Sequence, residues 1–132
     1  MSDYYFMNGN TLEGFQKQIA DVKERAVKND RAGKVSFALN AFVICRETED
    51  EAIRVLQEIQ GKADLEAVEG FRQQVQNAGS STGNKSGMWA NSKMEDLVQY
   101  NDGFKTKLIG TKHQIAERIC MLISFLLCWQ QH

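Results

Sequence analysis

The chain has 132 residues, of which 42% are hydrophobic and 25% are charged, and its formal net charge is −1. Length and composition are those of one modest globular domain. The nearly neutral charge gives no electrostatic reason to expect a nucleic acid or an anionic membrane surface as a partner.

The cysteines and histidines predict neither a disulfide framework nor a metal site. Cys45, Cys120 and Cys128 form no CxxC pair, and His113 and His132 are isolated from them and from each other. The cysteine number is odd and no signal peptide precedes the first predicted strand. We therefore expect a reducing, cytoplasmic environment and no bound metal.

The first third of the chain predicts a strand, a helix and a second strand. Tyr4–Met7 is an apolar, aromatic run that predicts a short buried strand. Asn10 and Glu13 have capping-box spacing for a helix that ends near residues 29–33. Residues 35–45 are almost wholly apolar, which predicts a parallel strand that is covered on both faces.

Two helices are predicted next, followed by a loop. Thr48 and Glu51 form a capping box for the first helix, and Asp64 caps the second. Residues 78–87 form a Gly/Ser-rich loop, and loops of this length inside a domain are often mobile or functional. The loop lacks the preceding strand and the following helix of a phosphate-binding loop, so we do not interpret it as one.

The last third predicts a short helix that begins at Ser92, a strand at residues 107–109 and a final helix that begins at Thr111. Residues 119–129 are almost wholly apolar but too few to cross a bilayer, which needs about 20 residues. We interpret them as a buried or self-associating segment, with membrane contact as the alternative.

The alternation of strands and helices predicts right-handed parallel β/α units. The predicted fold class is therefore α/β, with about three parallel strands and flanking helices. Because so few strands leave unpaired edges and cannot close a barrel, we expect part of a larger fold.

Three stretches carry a resemblance to a known family. They are SDYYFMNGNTLEGFQKQIADVKERA from Ser2, KVSFALNAFVICRETEDEA from Lys34 and LIGTKHQIAERI from Leu108. They resemble the bacterial luciferase-like, FMN-dependent monooxygenases, and within them the alkanesulfonate and dimethyl sulfone monooxygenase group. The resemblance is to the C-terminal part of the family barrel and covers residues 1–118, with a mobile insertion at residues 79–104. Residues 119–132 form an atypical apolar tail.

The resemblance implies a partial (β/α)8 TIM barrel that is not closable as a single chain. Members of this group use reduced FMN from a separate flavin reductase and cleave a carbon–sulfur bond of a small organosulfur compound. The family's flavin phosphate turn has no match in this chain. We therefore expect poor FMN binding by this chain alone, and poor or absent catalytic activity.

The resemblance also implies two substrate-binding residues. Asn40 and Phe42 stand where the alkanesulfonate enzymes carry an arginine and a histidine, and a continuous strand would place both side chains on one face. The exchange favours a small neutral sulfone over a sulfonate anion, with Asn40 donating a hydrogen bond to a sulfone oxygen. The alternative is that Asn40 is a satisfied core amide and Phe42 a packing residue.

Four further residues are weaker candidates, and no catalytic residue is assigned. Asn8 follows the first strand, where it either faces the flavin or serves as a turn residue. Trp89, Tyr100 and Asn101 fall in the insertion that covers the family's site, where they are candidates to line the pocket; alternatively, Trp89 anchors the loop.

Two other functions are consistent with the same residues. The first is a non-catalytic, self-associating protein from a truncated gene. The second is a regulatory subunit that docks on a full-length relative. Whether the chain is an enzyme fragment or a non-catalytic protein, we expect a homo-oligomer, because two or more copies would bury their strand edges and the apolar tail.

Overall fold

The computed structural model describes residues 3–81, 92–100 and 102–127. The strands in these ranges are β1 (Tyr4–Met7), β2 (Ser36–Leu39), β3 (Ile44–Cys45) and β4 (Ile109–Gly110). The α-helices are α1 (Leu12–Lys28), α2 (Glu49–Gly61), α3 (Leu65–Ser81) and α4 (Lys112–Leu127). Two 3-10 helices span Met94–Asp96 and Gly103–Thr106.

The described strands pair in two parallel, two-stranded sheets. β1 pairs with β2 so that Met7 lies opposite Leu39, and β3 pairs with β4 so that Ile44 lies opposite Ile109. The α/β class with parallel pairing is therefore as predicted. The described residues form no closed barrel, which is consistent with part of one.

The segment predicted as one strand over residues 35–45 is interrupted between β2 and β3. The Asn40 N–H donates to the Met7 carbonyl at 2.8 Å, whereas the Ile44 N–H donates to the Leu108 carbonyl at 2.9 Å. The segment thus changes partner along its length. The strand prediction is wrong for the middle of the segment because β1 ends at Met7 and β4 becomes the partner only from Ile44 onward.

The buried apolar residues form two clusters. The first joins β1 to α1 and contains Met7, Phe15 and Ile19, with Phe37, Leu39 and Leu122 packed against it. The second joins β3, α2 and the second 3-10 helix and contains Ile44, Ala52 and Phe104, with Phe42, Val55, Leu56, Ile59 and Ile109 packed against it. Each sheet is therefore supported by its own small core.

The face of the β1–β2 sheet that points away from α1 is exposed. The side chains of Tyr4 and Phe6 are 71% and 65% exposed, and Ser36 and Ala38 are exposed beside them. The sequence predicts a buried first strand and a second strand that is covered on both faces. Both expectations are wrong for this chain, because α1 covers only the face that carries Met7.

The start of α1 differs by one residue from the prediction. Thr11 is the N-cap, and its hydroxyl accepts the Gly14 N–H at 3.2 Å. Asn10 lies one residue earlier and accepts the Thr11 N–H at 2.8 Å. Asparagine and threonine side chains both accept backbone N–H groups well, so the sequence alone does not decide which of the two residues is the N-cap.

The other three long helices begin where their caps predict. Thr48 and Glu51 form a capping box at α2 with N–H···O distances of 3.3 and 3.4 Å. Asp64 accepts a backbone N–H at 3.0 Å at the start of α3. Thr111 and Gln114 bond reciprocally at the start of α4, at 2.9 and 3.4 Å. These starts follow from local hydrogen bonding.

The second half departs from prediction in detail. The predicted loop at residues 78–87 begins later because α3 continues to Ser81. The helix predicted from Ser92 is a 3-10 helix that begins at Met94. The last strand begins at Ile109 rather than at residue 107, because Lys107 has a left-handed backbone with φ 57°.

The predicted apolar tail is helical as far as Leu127, and residues 128–132 lie outside the described ranges. Met121 and Ile123 on this helix are 57% and 45% exposed. No helix in the described part of the chain is long and apolar enough to cross a membrane.

Candidate functional site at the carboxyl ends of the strands

Two asparagines meet at the carboxyl ends of β1 and β2. Met7 and Leu39 are the last paired residues, and Asn8 and Asn40 follow them directly. The Asn40 N–H continues the ladder by donating to the Met7 carbonyl at 2.8 Å. Both asparagines are half-buried. The structure therefore places two predicted site residues at the strand ends where (β/α) barrels carry their active sites.

Phe42 lies in the segment between β2 and β3 and packs into the second apolar cluster. Its ring centroid is 5.2 Å from that of Phe104, and its N–H donates to the Gly103 carbonyl at 3.2 Å. Because residues 40–43 are not strand, alternation along a strand does not place Asn40 and Phe42 on one face. Phe42 therefore has a packing role, while a contact of Asn40 or Phe42 with substrate stays a prediction.

Tyr100 links the second half of the chain to α3. Its ring meets that of Phe71 edge to face with centroids 5.5 Å apart, and its side chain is 50% exposed. Its φ of 57° is unusual for a tyrosine. Trp89 and Asn101 lie outside the described residues. The pocket-lining role of all three stays a prediction.

A buried polar cluster of Ser92, Asp102 and Lys105 lies beside these strand ends, and sequence reasoning missed it. The Ser92 hydroxyl donates to Asp102 Oδ2 at 2.9 Å, and Lys105 Nζ donates to Ser92 Oγ at 2.8 Å. Lys105 Nζ also forms an ion pair with Asp102 Oδ2 at 3.4 Å. Each member thus contacts both of the others. We call this group the Ser92–Asp102–Lys105 cluster.

The Asp102 carboxylate is the most deeply buried charged group of the cluster. Asp102 is 3% exposed, and its Oδ1 has no hydrogen-bond partner among the described residues. Burial raises the pKa of the Asp102 carboxyl, and the charge of Asp96 adds to this. The hydrogen bond from Ser92 and the charge of Lys105 act in the opposite direction on the same pKa.

The backbone places this cluster directly on the strand ends. A Cβ on Gly9, two residues after β1, would lie 2.0 Å from the Asp102 carbonyl oxygen. The next residue, Gly103, accepts the N–H of Phe42 after β2 at 3.2 Å. We define residues 92–100 and 102–106 as the covering segment. The only sequence signal at Asp102 is the Asp-Gly turn pattern, which indicates a turn and not a buried carboxylate.

One cavity in the described part of the chain lies at the other end of the β1–β2 sheet. It has a volume of about 200 Å³ and lies between the start of β1 and the end of α1. Arg31 lines it and pairs with Asp3 at 2.5 Å. In barrel proteins the amino ends of the strands contribute to stability rather than to catalysis. We therefore do not assign this cavity to the functional site.

No group of three or more His, Cys, Asp or Glu side chains suited to a metal is formed within the described ranges. The two described cysteines, Cys45 and Cys120, are exposed free thiols. The candidate site consequently consists of amides, one buried ion pair and aromatic rings.

A family model described as luciferase-like monooxygenase matches residues 1–126, and the chain belongs to this family. This confirms the family predicted from the three sequence stretches. The parallel strands and the polar groups at their carboxyl ends agree with the TIM-barrel fold of that family.

Two relatives are FMNH2-dependent dimethylsulfone monooxygenases. That of Pseudomonas putida is 56% identical over 122 residues, and that of Pseudomonas fluorescens (strain Pf0-1) is 51% identical over 122 residues. Each match covers 92% of this chain and 33% of the relative. A sulfoquinovose monooxygenase of Novosphingobium aromaticivorans is 36% identical over 72 residues, 54% of this chain and 19% of the relative.

The chain thus spans about a third of the length of the dimethylsulfone monooxygenases it matches. Their cofactor carries a phosphate, which favours backbone N–H groups and cations. Helices α1, α2 and α3 instead carry carboxylates in their first turns, which oppose a phosphate. The starts of α1, α2 and α3 therefore do not fit the flavin phosphate, whereas the first turn of α4 carries no acid and begins with Lys112. No reaction step is assigned to flavin bound by this chain.

Proposed function

We propose that this chain forms part of a reduced-FMN-dependent monooxygenase that cleaves a carbon–sulfur bond in a small sulfone such as dimethyl sulfone. The observation that carries the proposal is the 56% identity over 122 residues to a dimethylsulfone monooxygenase. The position of Asn8 and Asn40 at the carboxyl ends of paired strands supports it. A separate flavin reductase is the partner that this reaction requires.

The residues at the strand ends suit a small neutral ligand. The Asn40 amide offers an N–H donor to a sulfone oxygen, and the half-buried ring of Phe42 would offer an apolar wall. Asn8, which follows β1 as Asn40 follows β2, would contact the same ligand or the flavin. Tyr100, with Trp89 and Asn101, would close the pocket from the insertion.

We also propose that the 132-residue chain has little activity by itself. It spans about a third of its relatives, and the starts of α1, α2 and α3 do not fit a flavin phosphate. Tyr4 and Phe6 are exposed on a sheet face that further strands of a barrel would cover. Purified chain supplied with reduced FMN, oxygen and dimethyl sulfone should release almost no product. Sustained turnover by the chain alone would contradict this part of the proposal.

A chimera tests the substrate assignment separately. The 122 matched residues of the P. putida relative are replaced by those of this chain, and turnover of dimethyl sulfone is measured. We expect turnover to be retained, and Asn40→Ala in the chimera to raise KM for the sulfone. Glu117→Gln, at an exposed residue of α4, is the matched control. A chimera that binds reduced FMN but leaves the sulfone intact would reject the proposal.

A second candidate function is self-association, which the exposed face of the β1–β2 sheet favours. An uncovered sheet with aromatic side chains and an open edge is prone to pair with a second copy. Sedimentation velocity should then show a homo-oligomer that Phe6→Asp dissociates. Val27→Asp is the control, because Val27 is 61% exposed on α1 and outside this face. A stable monomer at high concentration excludes this candidate.

A further inference from the structure

The covering segment is fixed to the strand ends by contacts on both sheets. The Asp102 carbonyl occupies the space in front of Gly9, after β1, and the Gly103 carbonyl accepts the N–H of Phe42, after β2. The Phe104 ring then packs in the second apolar cluster. Three consecutive residues therefore bridge the carboxyl ends of β1 and β2.

The Ser92–Asp102–Lys105 cluster joins the beginning of the covering segment to its end. Ser92 is 5% exposed, and it is joined to Asp102 and Lys105, which are 10 and 13 residues further along the chain. The side chain of Lys105 is 14% exposed and that of Asp102 is 4% exposed. The cluster therefore sets the position of both ends of the segment relative to the strands.

The cluster is not arranged for greatest stability. Ser92 and Lys105 both act on Oδ2 of Asp102, and Oδ1 is buried with no partner in the described part of the chain. A buried polar atom without a partner opposes folding. Buried, incompletely satisfied charges are concentrated at functional sites, where their position matters more than their effect on stability.

We propose that the buried Asp102 carboxyl, which contacts Ser92 and Lys105, controls the covering segment: the segment is held across the carboxyl ends of β1 and β2 when this carboxyl is neutral and loosens when it is ionised. The inference rests on the proposed function in one respect, because it assumes that the reaction takes place at these strand ends. Its test needs no flavin and no substrate. An inactive chimera would therefore count against the proposed function alone, and a failed hydrogen-exchange test would count against this inference alone.

The sign of the pH effect follows from burial. The closed segment raises the pKa of the Asp102 carboxyl, whereas an open segment returns the carboxyl to water and to its ordinary pKa. Protonation therefore favours the closed form, and opening becomes easier as the pH rises through the raised pKa. Lys105 and Asp96 are the charged groups that act on the Asp102 carboxyl.

Hydrogen exchange of the full chain, followed by mass spectrometry between pH 4 and 8 and corrected for intrinsic exchange, tests the inference. Protection of the covering segment should fall as the pH rises, by about tenfold for each unit by which the pKa is raised. In the Asp102→Asn variant this dependence should be absent. The covering segment of the variant should exchange at pH 7 no faster than that of the unsubstituted chain. Glu95→Gln, at an exposed acid in the same segment, should keep the dependence.

The competing interpretation is that the Asp102–Lys105 ion pair has a purely structural role. In that case protection of the unsubstituted chain would not fall with rising pH, and Asp102→Asn would exchange faster at pH 7. Either result overturns the inference. The pH profile of the unsubstituted chain decides the matter even if Asp102→Asn fails to fold.

Discussion

The Asp102 carbonyl oxygen lies 2.0 Å from the position that a Cβ would take on Gly9, and the Asp102 carbonyl carbon is 2.4 Å from it. These are backbone atoms, so they cannot rotate away from an added methyl group as the end of a side chain can. Because residue 9 is a glycine, it has only a hydrogen at this position, and the covering segment can therefore reach the end of β1. The close approach connects the first strand to the last third of the chain.

Gly9→Ala should therefore separate the covering segment from β1. We expect a loss of about 1–3 kcal/mol in the free energy of unfolding, the usual effect of inserting a methyl group into a tightly packed place. Urea unfolding followed by circular dichroism measures it. Gly70→Ala is the control, because nothing lies within 4 Å of its added Cβ in α3. This control should gain up to about 1 kcal/mol from helix propensity.

Asn40 and Phe42 should respond differently to truncation. The Asn40 bond to Met7 is made by its backbone N–H, which alanine keeps, so Asn40→Ala should change stability by less than about 0.5 kcal/mol. Phe42→Ala removes a ring that packs on Phe104 and should cost about 2–3 kcal/mol. Thermal unfolding compares the two variants. Equal, large losses would show that the Asn40 side chain is a structural amide.

The acid sensitivity of α3 should depend on Glu69. Hydrogen bonds from Arg72 and Gln73 lower the pKa of the Glu69 carboxyl to about 2. A carboxyl whose pKa is lower in the folded state stabilises the fold above its unfolded pKa, and this contribution is lost as the pH falls through the folded value. Stability should thus decline from the ordinary glutamate pKa down to about pH 2.

The variant Glu69→Gln tests this effect, because it removes the carboxylate and should flatten that part of the stability profile. Glu117→Gln, at an exposed residue of α4, should leave the profile unchanged. Denaturation midpoints measured across the acid range compare the three proteins. An unchanged profile in Glu69→Gln would show that the pairing with Arg72 has no effect on folding.

Arg118 should stabilise the short last strand. Its guanidinium donates to the carbonyls of Lys107 and Ile109, the latter at 2.8 Å, and so connects the first half of α4 to β4. Arg118→Met should cost about 1.5–3 kcal/mol, the range for hydrogen bonds to charged groups. Arg54→Met, at an exposed residue of α2, should have little effect. Similar losses in both variants would contradict this role.

Local sequence signals were sufficient for three of the helix starts and for the family. The capping residues Thr48, Asp64 and Thr111 predicted three helix starts, because a cap is a bond between residues three apart in the chain. The quoted stretches led to the luciferase-like family, which the match over residues 1–126 confirms. They also brought Asn8 and Asn40 forward as site candidates, and parallel pairing placed these residues side by side.

Contacts between distant residues decided the rest. The apolar pattern of residues 35–45 does not reveal that β1 ends at Met7, which interrupts that strand. Nor does it reveal that Tyr4 and Phe6 stay exposed, since burial depends on which element covers a face. The Ser92–Asp102–Lys105 cluster and the approach of Asp102 to Gly9 join residues too far apart for any local pattern, so only folding brings them together.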